Sequence, residues 1–296
     1  MSTISKVAVA GASGSFGLPV VHQLIEDGFK VTVLTRKGTN HNFPSGVTVA
    51  EVDYESPETL VKALAGQDAV VSVIGFQGLE QQIPLVEAAV KAGVKRFIPS
   101  EFGGDAENEN ISQLPMFVLK KATKDLLKKE AALGKITYTL ITTGPFLDMA
   151  LQYGLIANLK EKKIKLWDGG ERSYSTTTIA SATKATSEVL KHLDETKNRV
   201  VFIRSASLTQ KGLLEKVKKA AGPDGWTIET PSVAENLKAA YAQLKETGEI
   251  DRVAFIVSAI WGEEYGSNFQ AVDNDLLGVK ELSDVELQNL IDGFAK

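Results

Sequence analysis

Apolar residues along the first half of the chain fall in short blocks separated by longer amphipathic stretches, the alternation expected of strand–helix–strand units. Val7, Ala8, Val9 and Ala10 form a compact buried-strand pattern that stops at Gly11. Residues 18–27 follow, with Val20, Val21, Leu24 and Ile25 at helical spacing and Gly28 as the stop. Residues 31–34 and 47–52 read as the second and third strands. A helix over 57–64 precedes a fourth strand at 69–74, and a helix near 84–91 leads into a fifth at 96–98. A charged amphipathic helix over 120–132 comes before a sixth strand at 137–141. Strands separated by helices imply right-handed crossovers and an α/β, doubly wound, mostly parallel sheet of the Rossmann type.

After Phe146 the alternation fades. Residues 164–167 and 200–203 read as strands, 213–221 and 233–245 as helices. The expected organisation is a dinucleotide-binding domain over 1–150 and a smaller substrate lobe over 151–296, the two forming one compact unit.

At 296 residues the chain is long enough for this arrangement, and 43% hydrophobic with 24% charged residues is ordinary for a globular protein. The net charge of −4 argues against an extended nucleic-acid groove. The absence of cysteine removes disulfides, thiolate metal sites and cysteine nucleophiles. His22, His41 and His192 lack metal-ligand spacing, so no metal is expected. Neither a signal-peptide pattern nor an apolar run of bilayer length is seen, which leads to the expectation of a cytoplasmic protein away from membranes.

The strongest local signal is Gly11, Ala12, Ser13, Gly14, Ser15, Phe16 and Gly17, between the first strand and first helix. Gly11 permits a tight exit from the strand, Gly14 a close approach of a diphosphate, and Gly17 close helix–sheet packing. Free N–H groups and the helix dipole at such a turn favour phosphate. The second strand ends in Thr35, Arg36 and Lys37, where an NAD site would carry an acid. A guanidinium there suits the 2′-phosphate of NADP, so the expected cofactor is NADPH. Asp53 and Tyr54 after the third strand suit the adenine, and Gly75 and Phe76 after the fourth suit the phosphate and nicotinamide ribose.

The run from Val94 through Arg96, Pro99, Ser100, Glu101, Phe102 and Gly103 resembles the strand-five signature of the NmrA-like, isoflavone reductase-like proteins, atypical members of the short-chain dehydrogenase superfamily. Phe117 to Lys120, then Thr143, Gly144, Pro145 and Phe146, extend the likeness, with Ser175 to Thr178 the best later match. The resemblance implies an NADPH-dependent reductase of small aromatic, phenylpropanoid- or flavonoid-like, or conjugated carbonyl compounds. It further implies a catalytic lysine, matched by Lys120, with Lys121 leaving the register open by one and Lys124 a further candidate. Ser100, Glu101, Gly144, Pro145 and Phe146 are the matching cofactor-side residues. Phe102, Phe146, Tyr153 and Tyr174, with Trp167 and Trp261, are candidates to line an aromatic cleft.

The Tyr-x-x-x-Lys pair of ordinary short-chain dehydrogenases is missing where it belongs: Phe117 precedes Lys121, and Met116 precedes Lys120. Tyr241 and Lys245 have the spacing but fall in a C-terminal helix. A desolvated Lys120 is therefore the expected general acid. Two other readings stay open: a dinucleotide-sensing regulator without turnover, and a nucleotide-sugar epimerase or dehydratase, which the missing phenol disfavours. The expected partner is a small molecule, with the chain a monomer or homodimer.

Overall fold

A computed structural model of the chain describes residues 3–39 and 41–295. Its order is β1 (Lys6–Ala10), α1 (Gly17–Glu26), β2 (Lys30–Arg36), β3 (Thr48–Val52), α2 (Pro57–Leu64), β4 (Ala69–Ser72), α3 (Gln82–Ala92) and β5 (Arg96–Ile98). There follow α4 (Glu109–Gln113), α5 (Val118–Ala132), β6 (Thr137–Thr142), α6 (Leu147–Gln152), β7 (Lys163–Lys165), β8 (Ser173–Thr176), α7 (Ile179–Val189) and β9 (Arg199–Phe202). The chain closes with β10 (Ala206–Thr209), α8 (Gln210–Ala221), β11 (Thr227–Glu229), α9 (Val233–Thr247), α10 (Arg252–Trp261) and α11 (Asp284–Gly293).

Seven strands form one parallel sheet in the order β3-β2-β1-β4-β5-β6-β9. The chain reverses direction across the sheet between β1 and β4, the crevice where doubly wound folds bind ligands. Burial on both faces explains the uninterrupted apolar strands. In β1, Val7 and Val9 pack under α1 and α7, while Ala8 and Ala10 turn to α2, α3 and α5.

The division expected at residue 150 is not where the structure parts. The strand expected over 200–203 is β9, which pairs with β6 in the main sheet, and α7 packs on α1. The reason is the sheet itself: β6 would otherwise expose an unpaired edge, and the chain returns from an excursion to cover it. The smaller lobe is thus interleaved with the sheet. It comprises α6, α8 to α11, a parallel pair β7–β11 and an antiparallel pair β8–β10, around a core of its own. Among the described residues no helix is long and apolar enough to cross a membrane.

Candidate active site

Two cavities meet above the C-terminal ends of β1, β2, β4 and β5. One is a groove of about 1100 Å³ along the glycine turn, and the other is an apolar cleft of about 350 Å³ between the sheet and α10. Phe16, Val73 to Phe76, Met149 and Tyr153 belong to the walls of both, so the two are continuous.

The glycine turn builds the groove floor. Gly11 has φ +83, and a Cβ there would stand 2.6 Å from the Val73 carbonyl oxygen of the neighbouring strand. A Cβ on Gly17 would strike the Gly11 carbonyl, so only glycine lets α1 descend onto the sheet. Residues 11–16 line the groove, whereas Gly17 lies beneath it as a packing residue. No side chain caps α1 and no acid occupies its first turn, leaving its leading N–H groups for an anion. Arg36 lines the far end beside Thr39, His41 and Tyr54. Burial pushes the Tyr54 phenol up to about 12, with Arg36 opposing. Among the described residues Arg36 has no carboxylate partner; this cradle and its unmatched cation fit a dinucleotide bearing a 2′-phosphate.

Not every expected residue arrives there. Lys37 is exposed in the turn beyond β2 and is not part of the groove wall. Asp53 is exposed outside it, its carboxylate accepting from the Glu55 N–H at 2.9 Å. Tyr54, Gly75 and Phe76 do line it.

The cleft is reached past an aromatic trio. Phe16 meets Phe102 edge-on and Phe146 at a tilt, each with ring centroids 4.7 Å apart. Phe102 adopts φ +34, a left-handed conformation costly for an aromatic residue, in the sharp turn that follows β5. That turn is pinned: the Phe102 N–H donates to Ile141, and Gly103 accepts from the N–H groups of Thr143 and Gly144. Ser100 is consumed in the same bracing. Its N–H donates to Gln82 Oε1 and its hydroxyl to the Ile74 carbonyl, both at 2.7 Å. Gly144, Pro145 and Phe146 also line the cleft, and the buried Thr176 and Thr177 hydroxyls donate to the Pro145 and Thr143 carbonyls behind them.

Lys120, in the first turn of α5, is 7% exposed and its ammonium donates to the Glu101 carbonyl. Phe76 and Phe117 flank it, with Nζ 5.1 and 5.8 Å from their ring centroids. Phe117, three residues before Lys120 and four before Lys121, presents a bare ring, and Met116 holds the Tyr-x-x-x-Lys position relative to Lys120. Burial pulls the Lys120 pKa down, partly opposed by the Glu101 carboxylate. Burial pushes the Glu101 carboxyl up, against the attraction of Lys120 and Lys124. Of the alternatives in register, Lys121 is exposed and paired with Asp125, and Lys124 is buried behind Lys120, donating to the Ala106 carbonyl.

Tyr153 is 67% exposed at the mouth, on the walls of both cavities. Tyr174 is a correction. It is fully buried in the lobe core against Trp261, ring centroids 5.5 Å apart, because all three inner positions of β8 are enclosed. Trp167 and Trp261 are core residues too, and Tyr241 packs on Phe255 away from the cleft. What the sequence reading missed is the opposite wall: Met149, Ile256, Ala259, Ile260 and Ser267. The apolar run of α10 was the available signal, but periodicity alone gives no partner for it.

A model of the NmrA-like family matches residues 3–224. An oxidoreductase of Aspergillus flavus named aprR is 35% identical over 245 residues, covering 81% of this chain and 82% of its own. The crystal structure of an isoflavone reductase, 23% identical, covers 97% of this chain and 99% of its own with a TM-score of 0.73. That of a leucoanthocyanidin reductase–NADPH complex from Vitis vinifera, 19% identical, covers 98% and 99% with a TM-score of 0.74. These structures share the fold.

Proposed function

The chain belongs to the NmrA-like family, and from that premise we propose that it is an NADPH-dependent reductase of small aromatic or conjugated carbonyl compounds. The observation that carries the reading is the buried Lys120 amine, set on the wall of an apolar cleft where it opens into the dinucleotide groove. A relative of this chain is named an oxidoreductase, and a protein of the same fold was solved with NADPH.

The 11–16 backbone binds the diphosphate, Arg36 the 2′-phosphate, and Tyr54 borders the adenine. When bound, the reduced nicotinamide supplies hydride. The Phe16, Phe102 and Phe146 trio would line that end of the site and shield it from water. Lys120 holds a proton at Nζ and delivers it to the substrate oxygen that gains charge as hydride arrives. Burial lowers its proton affinity, the direction that makes the ammonium a better acid. The apolar walls favour a neutral, flat substrate. An ionisable lysine facing the cleft favours turnover over mere sensing of the dinucleotide. The proposal includes a cytoplasmic location and a monomeric or homodimeric state.

The test is a fluorescence titration with NADPH and NADH on wild type and Arg36→Ala, followed by a screen of aromatic enones and quinones for NADPH oxidation. Arg36→Ala is expected to weaken NADPH by roughly 10- to 100-fold and leave NADH nearly unchanged, the range for a lost charge-assisted pair. Equal dissociation constants for the two dinucleotides in the wild type would refute the cofactor assignment.

A further inference from the structure

Behind the wall of the cleft that carries Lys120 lies a third, small cavity of about 20 Å³. Glu101, Gly104, Phe117 and Lys120 separate the two and belong to both. The small cavity runs on past Ser112 and Lys124 to Lys121, an exposed side chain. Its volume is room for about one water, and polar groups surround that space. Lys124 donates there to the Ala106 carbonyl and, at 3.3 Å, to the Ser112 hydroxyl.

Glu101 belongs to this partition and is 8% exposed; among the described residues its carboxyl accepts no hydrogen bond, and Lys120 and Lys124 act on it by charge. An acid with a structural role closes onto a donor, because an unpaired buried carboxyl is costly. This one lies between two lysines and closes onto neither. The charged groups around it are Lys120 and Lys124 of α5 and Glu107 of the preceding loop. From α10 only Ile256, Ala259 and Ile260 reach the cleft wall, and they carry no charge. Its own carbonyl meanwhile accepts from Lys120, so backbone and side chain of one residue address the same amine.

We propose that Glu101 is the proton partner of Lys120, resupplying from the rear cavity the proton that the amine spends in the cleft. The inference rests on the reductase reading above. In one turnover the substrate gains hydride at carbon and a proton at oxygen, the latter from an N–H bond of the Lys120 ammonium. The Glu101 carboxylate then takes a proton from solvent through the rear cavity, forming an O–H bond. That O–H bond breaks as the Lys120 N–H bond re-forms, the proton passing through water in the space between the two groups, so that the pair returns to carboxylate and ammonium. The pair ends as it began, and all the electrons come from the hydride of NADPH. Glu101 acts through Lys120 and is a positioning residue, not one that touches substrate.

The first readout needs no turnover. Acetic anhydride acylates only the neutral amine, so the pH dependence of Lys120 acetylation, followed by tandem mass spectrometry, reports its proton affinity. Glu101→Gln removes the anion that favours the ammonium, and half-labelling is expected to move about one pH unit lower, the scale of a neighbouring charge. Glu101→Asp keeps the anion and is expected to stay near wild type. In pre-steady-state kinetics with NADPH and a reducible enone, Glu101→Gln is expected to keep its first turnover and slow the later ones. An unshifted labelling profile in folded Glu101→Gln, or equal slowing of first and later turnovers, overturns the proposal. A shifted profile in a protein that oxidises NADPH with no substrate supports the pair and removes the reductase reading, so the two failures are distinguishable.

Discussion

Strand β5 has a buried cation at each end, and the two are built in opposite ways. At its start, Arg96 is 2% exposed and four of its five N–H donors are engaged. It donates to the hydroxyls of Thr137, Thr139 and Thr196 at 2.8, 2.8 and 2.9 Å, and to the Leu193 carbonyl at 2.7 Å. Burial lowers its pKa to about 10, with Asp194 opposing, and it stays charged. Beyond the other end, Lys120 is as well hidden yet donates to one carbonyl, with an open cleft before it. A buried cation with nearly all its donors engaged ties strands together. One with donors left over beside a cavity is available for chemistry.

The sharpest way to break that contrast is Lys120→Ala. Loss of a positioned acid is expected to lower kcat on the order of 10²- to 10⁴-fold, with the NADPH dissociation constant little changed. The wild type should also show a basic limb in kcat. The acid form is the ammonium, and burial lowers its pKa, so activity falls as pH rises through a value below that of an ordinary lysine. That limb should be absent from the residual activity of the variant. Retained turnover would make Lys120 another scaffold cation like Arg96.

The contrast also explains what could be read before any coordinates. The groove was legible because its demands are local. Gly11 must take a positive φ, Gly17 must lack a Cβ, and Arg36 must end β2, all within 26 residues of one strand–turn–helix–strand unit. Lys120 and Glu101 were legible only through the family resemblance, carried by two separate stretches, 94–103 and 117–120. The far wall was not legible, because α10 and Ser267 reach the cleft by packing across more than a hundred residues of intervening sequence. Likewise β9 looks like any apolar strand; that it returns to β6 follows from an edge only the assembled sheet exposes. Lys37 and Asp53 missed the groove for the converse reason: adjacency in sequence does not set which way a turn residue faces.

Arg96 provides the second test, in stability. Arg96→Met keeps the stem and removes the donors, leaving the Leu193 carbonyl unsatisfied while Thr137 and Thr139 retain bonds to Lys95 and Thr196. The expected cost is about 3 kcal/mol, one orphaned acceptor plus the lost charged hydrogen bonds. Thermal unfolding should show this as a drop of roughly 5 °C. Enzyme that remains folded should keep its kcat. A kcat loss matching that of Lys120→Ala would mean that the two ends of β5 do not divide structure from chemistry.

Tyr174 refines the rule with the smallest expected effect. Its hydroxyl is buried and has no hydrogen-bond partner among the described residues, and burial pushes the phenol pKa up. An unpaired polar group is thus present without being at the cleft, since Tyr174 packs against Trp261 in the lobe core. If spare hydrogen-bonding capacity alone marked function, Tyr174→Phe would impair turnover. If an adjoining cavity is also required, kcat should not change. Deleting an oxygen that was desolvated without compensation should then leave stability equal or raise it by up to about 1 kcal/mol. Urea unfolding of the pair measures this directly. A loss of stability above that size would mean the hydroxyl is satisfied in solution, and the phenol would join Arg96 among the groups that hold the fold.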